Sequence, residues 1–474
     1  MTKGRLFIAG EWVETADSAV VRDKYTGEEI GRVGIADRSL TDRAVAAARS
    51  AFAAGEIEPY RRYEILMAAA EALKARQNEI VETLVAETGF TLKDARNDFA
   101  RSVQTITQSA EEAKRIVGEM VPIQGAPGQH PNRLAFTVRV PVGVVCAITP
   151  FNSPLNTVLH KIAPAIAAGN AVVLKPATYT PLSAYILCEI FAEAGLPAGY
   201  LNLVIGGGST VGQWLLENPD IDFYTFTGST EVGKIIQRTV GLRRTQLELG
   251  NISSTIICDD AALDVAAEKC ANAGFRKAGQ VCTSVQRILV DRRVMDRFSE
   301  LFVERTSALG VGNPRDPETV VGPMIDEREA IRAETWVQEA VAAGAELLMP
   351  LRREGALLWP VILRNVDSRQ RVVCQEIFAP VVSLVPVDGM DEAIAIANDT
   401  PFGLAGGIFT NNVTRALSAI RRMRMGTVHI NDTSSSRVDL MPYGGVKESG
   451  FGKEGPKYAI LDMTEEHFVT INPV

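Results

Sequence analysis

The chain has 474 residues, of which 46% are hydrophobic and 22% charged, a composition typical of a folded protein of two or three domains. Its 49 Lys and Arg residues against 57 Asp and Glu residues give a formal net charge of −8, which disfavours nucleic acid or an anionic membrane as a partner. No apolar run reaches the ~20 residues of a spanning helix. Six scattered cysteines, and a first apolar stretch too short for a signal peptide, predict a reducing compartment, which we take to be the cytoplasm.

The first 140 residues combine short strands, helices and a break. Strands are predicted at Arg5–Ile8 and Val20–Arg22, and helical periodicity extends from Leu40 to Ile116. A stretch rich in Gly and Pro, residues 120–129, interrupts the helices, and residues 134–140 then alternate like a strand with one covered face.

Residues 142–250 alternate apolar runs with helical segments, which predicts a parallel sheet covered on both faces. Such sheets bind ligands at the carboxyl ends of their strands. The loops expected around one crevice follow Ile148, Leu174, Ile205 and Phe226. A second alternation, over residues 255–397, predicts another α/β domain.

Two glycine-rich loops, at residues 206–208 and 228–233, each follow a predicted strand and precede a predicted helix. Glycine lets the backbone approach a phosphate, and a helix N-terminus offers free N–H groups. Neither loop has the GxGxxG or phosphate-loop pattern, so sharp turns are the alternative. Lys175 also ends a strand of this group, either as a surface lysine or as a contact to the adenosine ribose.

Cys282 is the candidate nucleophile. It lies among polar residues just after Gly279, whereas a lone cysteine elsewhere is commonly a small buried hydrophobe. Glu248 precedes another glycine and offers a carboxylate. A thiolate with a carboxylate that activates water suits a covalent intermediate followed by hydrolysis.

Eight motifs, in order and over essentially the whole chain, resemble those of the aldehyde dehydrogenase superfamily. They occupy residues 148–156, 175–178, 226–233, 247–250, 279–282, 375–380, 398–404 and 442–450. The resemblance implies an α/β fold with two Rossmann-like domains and a small β extension. The implied ranges are 1–118 and 142–249 for NAD(P) binding, 250–454 for catalysis, and 119–141 with 455–474 for oligomerisation as a homodimer or homotetramer.

The resemblance also implies a mechanism. Cys282 would attack the aldehyde, and the Asn152 amide and the Cys282 N–H would hold the oxyanion. Glu248 would then activate the water that hydrolyses the thioester. Lys161 and Glu454 match a proton relay, with an ordinary ion pair as the alternative.

NAD(P)+ is the implied cofactor. Its expected contacts are Thr149, Pro150, Phe151, Lys175, Thr178, Gly208, Gly228, Ser229, Gly250, Glu376 and Phe378. Many NAD-specific relatives have Glu at the position of Thr178, where a carboxylate would repel a 2′-phosphate. Thr178 removes that repulsion, which predicts that NADP+ is accepted.

The segments expected around the substrate are polar rather than aromatic, which predicts a short aldehyde with hydroxyl or acidic groups. The candidate contacts are Arg101, Ser153, Thr157, His160, Val281, Thr283, Ser436 and Arg437. The alternative interpretation is an exposed serine-rich loop with His160 satisfied in the core.

Two other functions compete with this hypothesis. A CoA-acylating enzyme is disfavoured by Glu248, which relatives of that type usually lack. An inactive structural or binding homologue is disfavoured because Cys282, Glu248 and Asn152 are all present. No metal site is predicted, since the four histidines (130, 160, 429 and 467) lie far apart.

Overall fold

A computed structural model describes residues 4–473. Residues 1–3 and 474, at the outer ends of the predicted domain ranges, lie outside the described residues. In chain order the strands are β1 (Arg5–Ile8), β2 (Glu11–Glu14), β3 (Asp17–Arg22), β4 (Glu29–Ile35), β5 (Leu134–Pro141), β6 (Val144–Ile148), β7 (Ala171–Lys175), β8 (Leu201–Leu203), β9 (Phe223–Thr227), β10 (Arg244–Glu248), β11 (Ser254–Ile257), β12 (Arg287–Asp291), β13 (Gly310–Val311), β14 (Thr319–Val321), β15 (Glu346–Leu347), β16 (Arg353–Glu354), β17 (Leu357–Leu358), β18 (Val361–Arg364), β19 (Val381–Val387), β20 (Ala405–Phe409), β21 (Thr427–Ile430), β22 (Gly450–Phe451) and β23 (Thr464–Ile471).

Helices pack against both large sheets. They are α1 (Arg38–Ala53), α2 (Pro59–Ala75), α3 (Gln77–Thr88), α4 (Leu92–Ala113), α5 (Asn156–Ala168), α6 (Leu182–Glu193), α7 (Gln213–Glu217), α8 (Thr230–Val240), α9 (Leu263–Phe275), α10 (Met295–Ser307), α11 (Glu327–Ala342), α12 (Arg371–Cys374), α13 (Met390–Asn398), α14 (Val413–Arg422) and α15 (Pro456–Asp462).

The first sheet has the order β2-β1-β8-β7-β6-β9-β10-β22. Its five central strands, β8 to β10, run parallel, whereas β1, β2 and β22 pair antiparallel at the edges. Every residue of β7 and of α5 is buried, as expected for a parallel strand and a helix enclosed by further layers. Because the central strands are parallel, the four predicted strands β6, β7, β8 and β9 end at one edge of the sheet, as the sequence predicts. The strand β10, which was not predicted, ends at the same edge.

The second sheet has the order β15-β18-β19-β12-β11-β20-β21, with all pairs parallel except β15 with β18. The predicted α/β class is therefore present in both halves. One short strand crosses the predicted boundary: Gly450–Phe451 lies in the range assigned to the catalytic domain but pairs with β10 of the first sheet. The exact domain ranges stay a prediction.

Two edge segments form a separate ribbon. β5 and β23 pair antiparallel from Leu134 opposite Ile471 to Pro141 opposite Thr464. Leu134, Phe468 and Ile471 are each at least half exposed on this ribbon. An apolar ribbon of this kind has the character of an edge that needs covering.

Local differences from the predicted elements have simple causes. The predicted strand at residues 201–205 ends at Leu203, and the predicted helix at residues 209–217 consists of a π-helical turn, Gly208–Gly212, followed by α7. Consecutive glycines at 206–208 lower the propensity for both regular structures. Within residues 4–473, no helix is both long and apolar enough to cross a membrane, and no three His, Cys, Asp or Glu side chains group as metal ligands.

Candidate active site

Two cavities meet at Cys282. The larger is a cleft of about 460 Å³ at the carboxyl edge of the first sheet. We call it the cofactor cleft. It is lined by all the predicted cofactor contacts: Thr149, Pro150, Phe151, Lys175, Thr178, Gly208, Gly228, Ser229, Gly250, Glu376 and Phe378. The smaller, of about 50 Å³, is the inner pocket on the other side of the sulfur, and Asn152 and Glu248 line both cavities.

Strand ends and helix starts shape the cofactor cleft. Ser229 caps α8, its hydroxyl accepting a hydrogen bond from the Val232 N–H at 3.4 Å. A Cβ on the preceding Gly228 would lie 2.5 Å from the Phe226 ring, so this position requires glycine or a moved ring. The loop after β9 therefore presents backbone rather than side chains to the cleft, the arrangement that a phosphate needs.

Lys175 ends β7 as a buried cation. Its ammonium group donates to the Pro176 carbonyl at 3.5 Å, and within residues 4–473 it has no carboxylate partner. Burial lowers the pKa of Lys175 to about 8. Position 178, three residues later, is a threonine rather than an acid. Its hydroxyl donates a hydrogen bond to the Gly206 carbonyl at 3.4 Å.

Glu376 and Phe378 close the other end of the cleft. Glu376 accepts a hydrogen bond from the Asn251 N–H at 2.9 Å, and its burial raises the pKa to about 7. Phe378 has a φ of 50° and contacts Phe151 edge-on, with ring centroids 5.9 Å apart. A left-handed backbone at a bulky residue is uncommon and holds this aromatic ring at the cleft wall.

The segment before Cys282 has an unusual backbone. Lys277 and Ala278 have φ values of 52° and 51°, and Gly279 follows at 69°. A Cβ on Gly279 would lie 2.1 Å from the Ala379 carbonyl oxygen, so only glycine fits there. The Gln280 side chain fixes the turn by accepting from the Ile325 N–H at 2.9 Å and donating to the Lys277 carbonyl at 3.2 Å. These contacts aim the cysteine into the cavities.

The Asn152 side chain bridges the two halves of the molecule. Its amide donates to the Gln280 carbonyl at 3.0 Å, two residues before Cys282. The amide has two N–H groups, and one remains to face a developing oxyanion beside the cysteine. The bond therefore fixes the orientation of the predicted donor relative to the nucleophile.

Burial disfavours the charged forms of both Cys282 and Glu248. Burial, followed by the charge of Glu248, raises the pKa of Cys282 well above its usual value. Burial, followed by the charge of Glu454, raises the pKa of Glu248 to about 8. Glu248 Oε1 has no hydrogen-bond partner within residues 4–473. A carboxyl group of raised pKa beside a thiol is suited to accept and return protons near neutral pH.

Behind the inner pocket, Glu454 joins three side chains. It accepts from Lys161 at 3.1 Å, from Arg437 at 2.7 Å and from the Thr227 hydroxyl at 3.0 Å. Burial alone would raise its pKa, but Lys161 and Arg437 hold the pKa of Glu454 well below its usual value. Lys161 is fully buried beneath the pocket and reaches it only through Glu454.

Six of the eight predicted substrate contacts line the inner pocket: Arg101, Ser153, Thr157, Val281, Thr283 and Arg437. His160 does not. It is buried behind the wall, with Nε2 2.9 Å from Asp439, which matches the alternative of a core histidine. Only this nitrogen is satisfied, because Nδ1 has no hydrogen-bond partner within residues 4–473. Ser436 is also absent from the lining, and its neighbour Ser435 instead contacts a pocket residue, Arg276.

Sequence reasoning missed several lining residues. In the inner pocket these are Asn156, Thr227, Arg276, Lys277 and Tyr443, and in the cofactor cleft they include Arg332. Arg276 and Lys277 lie in the same loop as Cys282, and Tyr443 lies in a quoted motif, so proximity in sequence was an available signal. Asn156, at the start of α5, also lies in one of the eight motifs, whereas Arg332 on α11 carries no local signal.

Comparisons with known proteins agree with this geometry. The model of the aldehyde dehydrogenase family matches residues 12–469. A 3-sulfolactaldehyde dehydrogenase from Priestia aryabhattai is 49% identical over 98% of each chain. Aldehyde dehydrogenase 21 from Physcomitrella patens, solved in complex with succinate, has a TM-score of 0.96 and 36% identity over 99% of this chain and 98% of its own. The NADP-dependent glyceraldehyde-3-phosphate dehydrogenase from Bacillus halodurans, complexed with NADP, has a TM-score of 0.97 and 35% identity over 99% of each chain.

The chain therefore belongs to the aldehyde dehydrogenase family. The expected family and its fold are confirmed at this level. The individual roles of the site residues stay predictions.

Proposed function

We propose that this protein oxidises a short anionic aldehyde to the corresponding acid with NAD(P)+, through a thioester on Cys282. The observation that carries the proposal is the position of Cys282. This residue lines both the cofactor cleft, which is large enough for a dinucleotide, and the small polar inner pocket. Asn152 and Glu248 line the same two cavities, which supports their proposed roles as oxyanion donor and base at one reacting carbon.

The cofactor cleft fits NAD(P)+ in its chemistry. The cleft has three features that suit a dinucleotide. A buried lysine without a carboxylate partner suits a phosphate, a turn that presents backbone N–H groups suits a pyrophosphate, and a buried acid suits the hydroxyls of a ribose. Lys175, Ser229 and Glu376 would hold these three parts. When bound, the dinucleotide supplies the hydride acceptor. The solved relative from Bacillus halodurans, complexed with NADP, supports this proposal.

In the first half-reaction, the Cys282 thiol loses its proton to the Glu248 carboxylate, and the sulfur forms a bond to the aldehyde carbon. The carbonyl electron pair moves to oxygen, which receives hydrogen bonds from the Asn152 amide and the Cys282 N–H. Loss of hydride from this carbon leaves an acyl group on the sulfur.

In the second half-reaction, Glu248 first passes on the proton that it took from Cys282. It then removes a proton from a water that attacks the thioester, and the sulfur leaves as a thiolate. The proton on Glu248 then needs an exit. The ionised Glu454 lies on the same pocket wall, with Lys161 behind it, and offers an acceptor. Lys161 thus acts through Glu454, because it does not reach the pocket itself.

The cations of the inner pocket favour an anionic substrate. Three of them already face carboxylates: Arg101 bonds to Asp439, Arg437 to Glu454 and Lys277 to Asp98. Arg276, in contrast, bonds within residues 4–473 only to the carbonyl and hydroxyl oxygens of Ser435. A carboxylate or sulfonate on the substrate would supply the missing counter-charge. The sulfolactaldehyde dehydrogenase and the succinate-bound relative support this class.

An aldehyde panel assayed with NAD+ and NADP+ tests the proposal. We expect a higher kcat/KM for sulfolactaldehyde and succinic semialdehyde than for lactaldehyde, and the lowest values for hexanal and benzaldehyde. A preference for the last two would reject the anionic substrate. Product analysis with and without CoA separates hydrolysis from acyl transfer, and Glu248 as a base supports hydrolysis.

We also propose a homo-oligomer formed through the β5–β23 ribbon, because its exposed apolar side chains favour pairing with another copy. Six free cysteines favour a reducing compartment, the cytoplasm. Size-exclusion chromatography of the intact chain and of a Phe468→Glu variant tests the first point.

A further inference from the structure

The Tyr443 hydroxyl lies against the nucleophile. Its oxygen is 2.9 Å from the Cys282 sulfur, and the side chain is almost fully buried. Within residues 4–473, the sulfur is the hydroxyl's only hydrogen-bonding partner. Tyr443 lines the inner pocket but not the cofactor cleft, so the hydroxyl reaches the sulfur from the substrate side.

The fold fixes the ring independently of the cysteine. The Tyr443 backbone N–H donates to the Glu454 carbonyl at 3.1 Å, and the Glu454 N–H donates back at 2.7 Å. The Arg437 guanidinium lies over the ring, 3.7 Å from its centroid. The direction of the hydroxyl is therefore set by a backbone bridge and a cation–π contact.

A thiolate at Cys282 has unfavourable surroundings. It is removed from water, and the charges of Glu248 and Glu376 oppose a further negative charge, which the Arg437 guanidinium offsets only in part. A neutral donor aimed at the sulfur stabilises the anion without an ion pair that would quench its nucleophilicity. The cation above the ring makes the phenol a stronger donor.

We propose that Tyr443 is a further catalytic residue, whose hydroxyl donates a hydrogen bond to the Cys282 sulfur whenever that sulfur is anionic. The thiol proton passes to Glu248, the tyrosine keeps its own proton, and the bond weakens as the sulfur electron pair forms the carbon–sulfur bond. In the second half-reaction, the same hydroxyl donates a hydrogen bond to the thiolate that leaves the acyl group. This inference rests on the proposed role of Cys282.

The test is the pH dependence of Cys282 alkylation by iodoacetamide in Tyr443→Phe, which keeps the ring and its contact with Arg437. The Cys282 peptide is followed by mass spectrometry, because Cys374 is exposed and also reacts. We expect alkylation at about pH 8 to be roughly five- to tenfold slower, with its midpoint at higher pH. Tyr185→Phe, which changes a buried tyrosine on α6 outside both cavities, should match the wild type.

Alkylation of Tyr443→Phe at the wild-type rate and midpoint, or faster, would overturn the proposal. A titration of thiolate absorbance, with Cys282→Ser subtracted, should show the same upward shift. Since neither measurement needs cofactor or aldehyde, both results stand whether or not the aldehyde panel identifies a substrate. Circular dichroism and thermal unfolding of the variant should match the wild type, because among residues 4–473 the hydroxyl bonds only to the Cys282 sulfur.

Discussion

The cofactor cleft and the inner pocket share one sulfur but are built differently. The cleft is formed mainly by turns at the ends of four parallel strands that lie side by side, β7, β6, β9 and β10, so the loops after these strands meet at one edge of the sheet. The inner pocket is formed by single side chains from α4, α5, the cysteine loop and the loop before β22. The cleft therefore presents mostly backbone and apolar surface, whereas the pocket presents charge. We expect substitutions in the two regions to separate cofactor effects from substrate effects.

The largest effect should come from the atom common to both cavities. Cys282→Ser removes the nucleophile, and we expect kcat to fall by about 10⁴-fold or more. NADP+ affinity, measured by fluorescence titration, should stay within about twofold, because the cleft wall is unchanged. Residual turnover above roughly one per cent of wild type would contradict a covalent mechanism.

Glu248→Gln should lower steady-state kcat by about 10²- to 10⁴-fold, since water activation is lost. If the base acts mainly on the thioester, rapid-quench measurements should still show a burst of reduced cofactor before turnover stops. Glu87→Gln is the matched control: Glu87 is likewise buried, and burial raises its pKa to about 7. Among the described residues it accepts hydrogen bonds from the start of α6, outside both cavities. Equal losses in both variants would indicate a structural effect.

Arg276→Gln tests whether the pocket selects by charge. We expect kcat/KM for anionic aldehydes to fall by roughly 10- to 100-fold, the effect of one charge-assisted hydrogen bond. The value for a neutral short aldehyde should change by less than about threefold. A uniform loss across both substrate types would assign Arg276 to the support of the cysteine loop.

Lys175→Met tests which dinucleotide the cofactor cleft prefers. We expect kcat/KM with NADP+ to fall by about tenfold more than with NAD+, because a 2′-phosphate loses its cationic partner. The substrate order of the aldehyde panel should stay the same. Equal losses with both dinucleotides would place Lys175 on groups that the two cofactors share.

The smallest effect is a pH dependence. Burial raises the pKa of Glu248 to about 8, so the fraction of carboxylate rises with pH up to and beyond that value. We expect log kcat to increase between about pH 6.5 and 8 and to level off above, if hydrolysis limits turnover. A kcat that is flat over this range would show that another step is limiting.

Much of this architecture was accessible from the sequence. The apolar runs around Val172 and Tyr224 and their alternation with helices predict the parallel sheet, and the parallel sheet predicts a shared edge for Thr149, Lys175 and Gly228. These inferences hold because strand polarity and loop position follow directly from chain order. The strand Gly450–Phe451 was inaccessible, since two residues carry no periodicity.

The inner pocket was harder to predict for a physical reason. His160 and Thr157 lie on the same helix, three residues apart, yet Thr157 lines the pocket and His160 bonds to Asp439, a residue 279 positions later. Which polar side chain faces the cavity is decided by such distant partners. Arg276 likewise stands out only once the carboxylates that satisfy Arg101, Lys277 and Arg437 have been identified.

The hydrogen bond from Asn152 to the Gln280 carbonyl ties a loop of one sheet to a loop of the other across the molecular seam. Neither sheet depends on this tie for its own core. Low concentrations of urea should therefore separate these two loops and abolish turnover, while far-ultraviolet circular dichroism still shows the native helix content. We expect catalytic activity to be lost when the contact between the two halves is disturbed, well before either half unfolds.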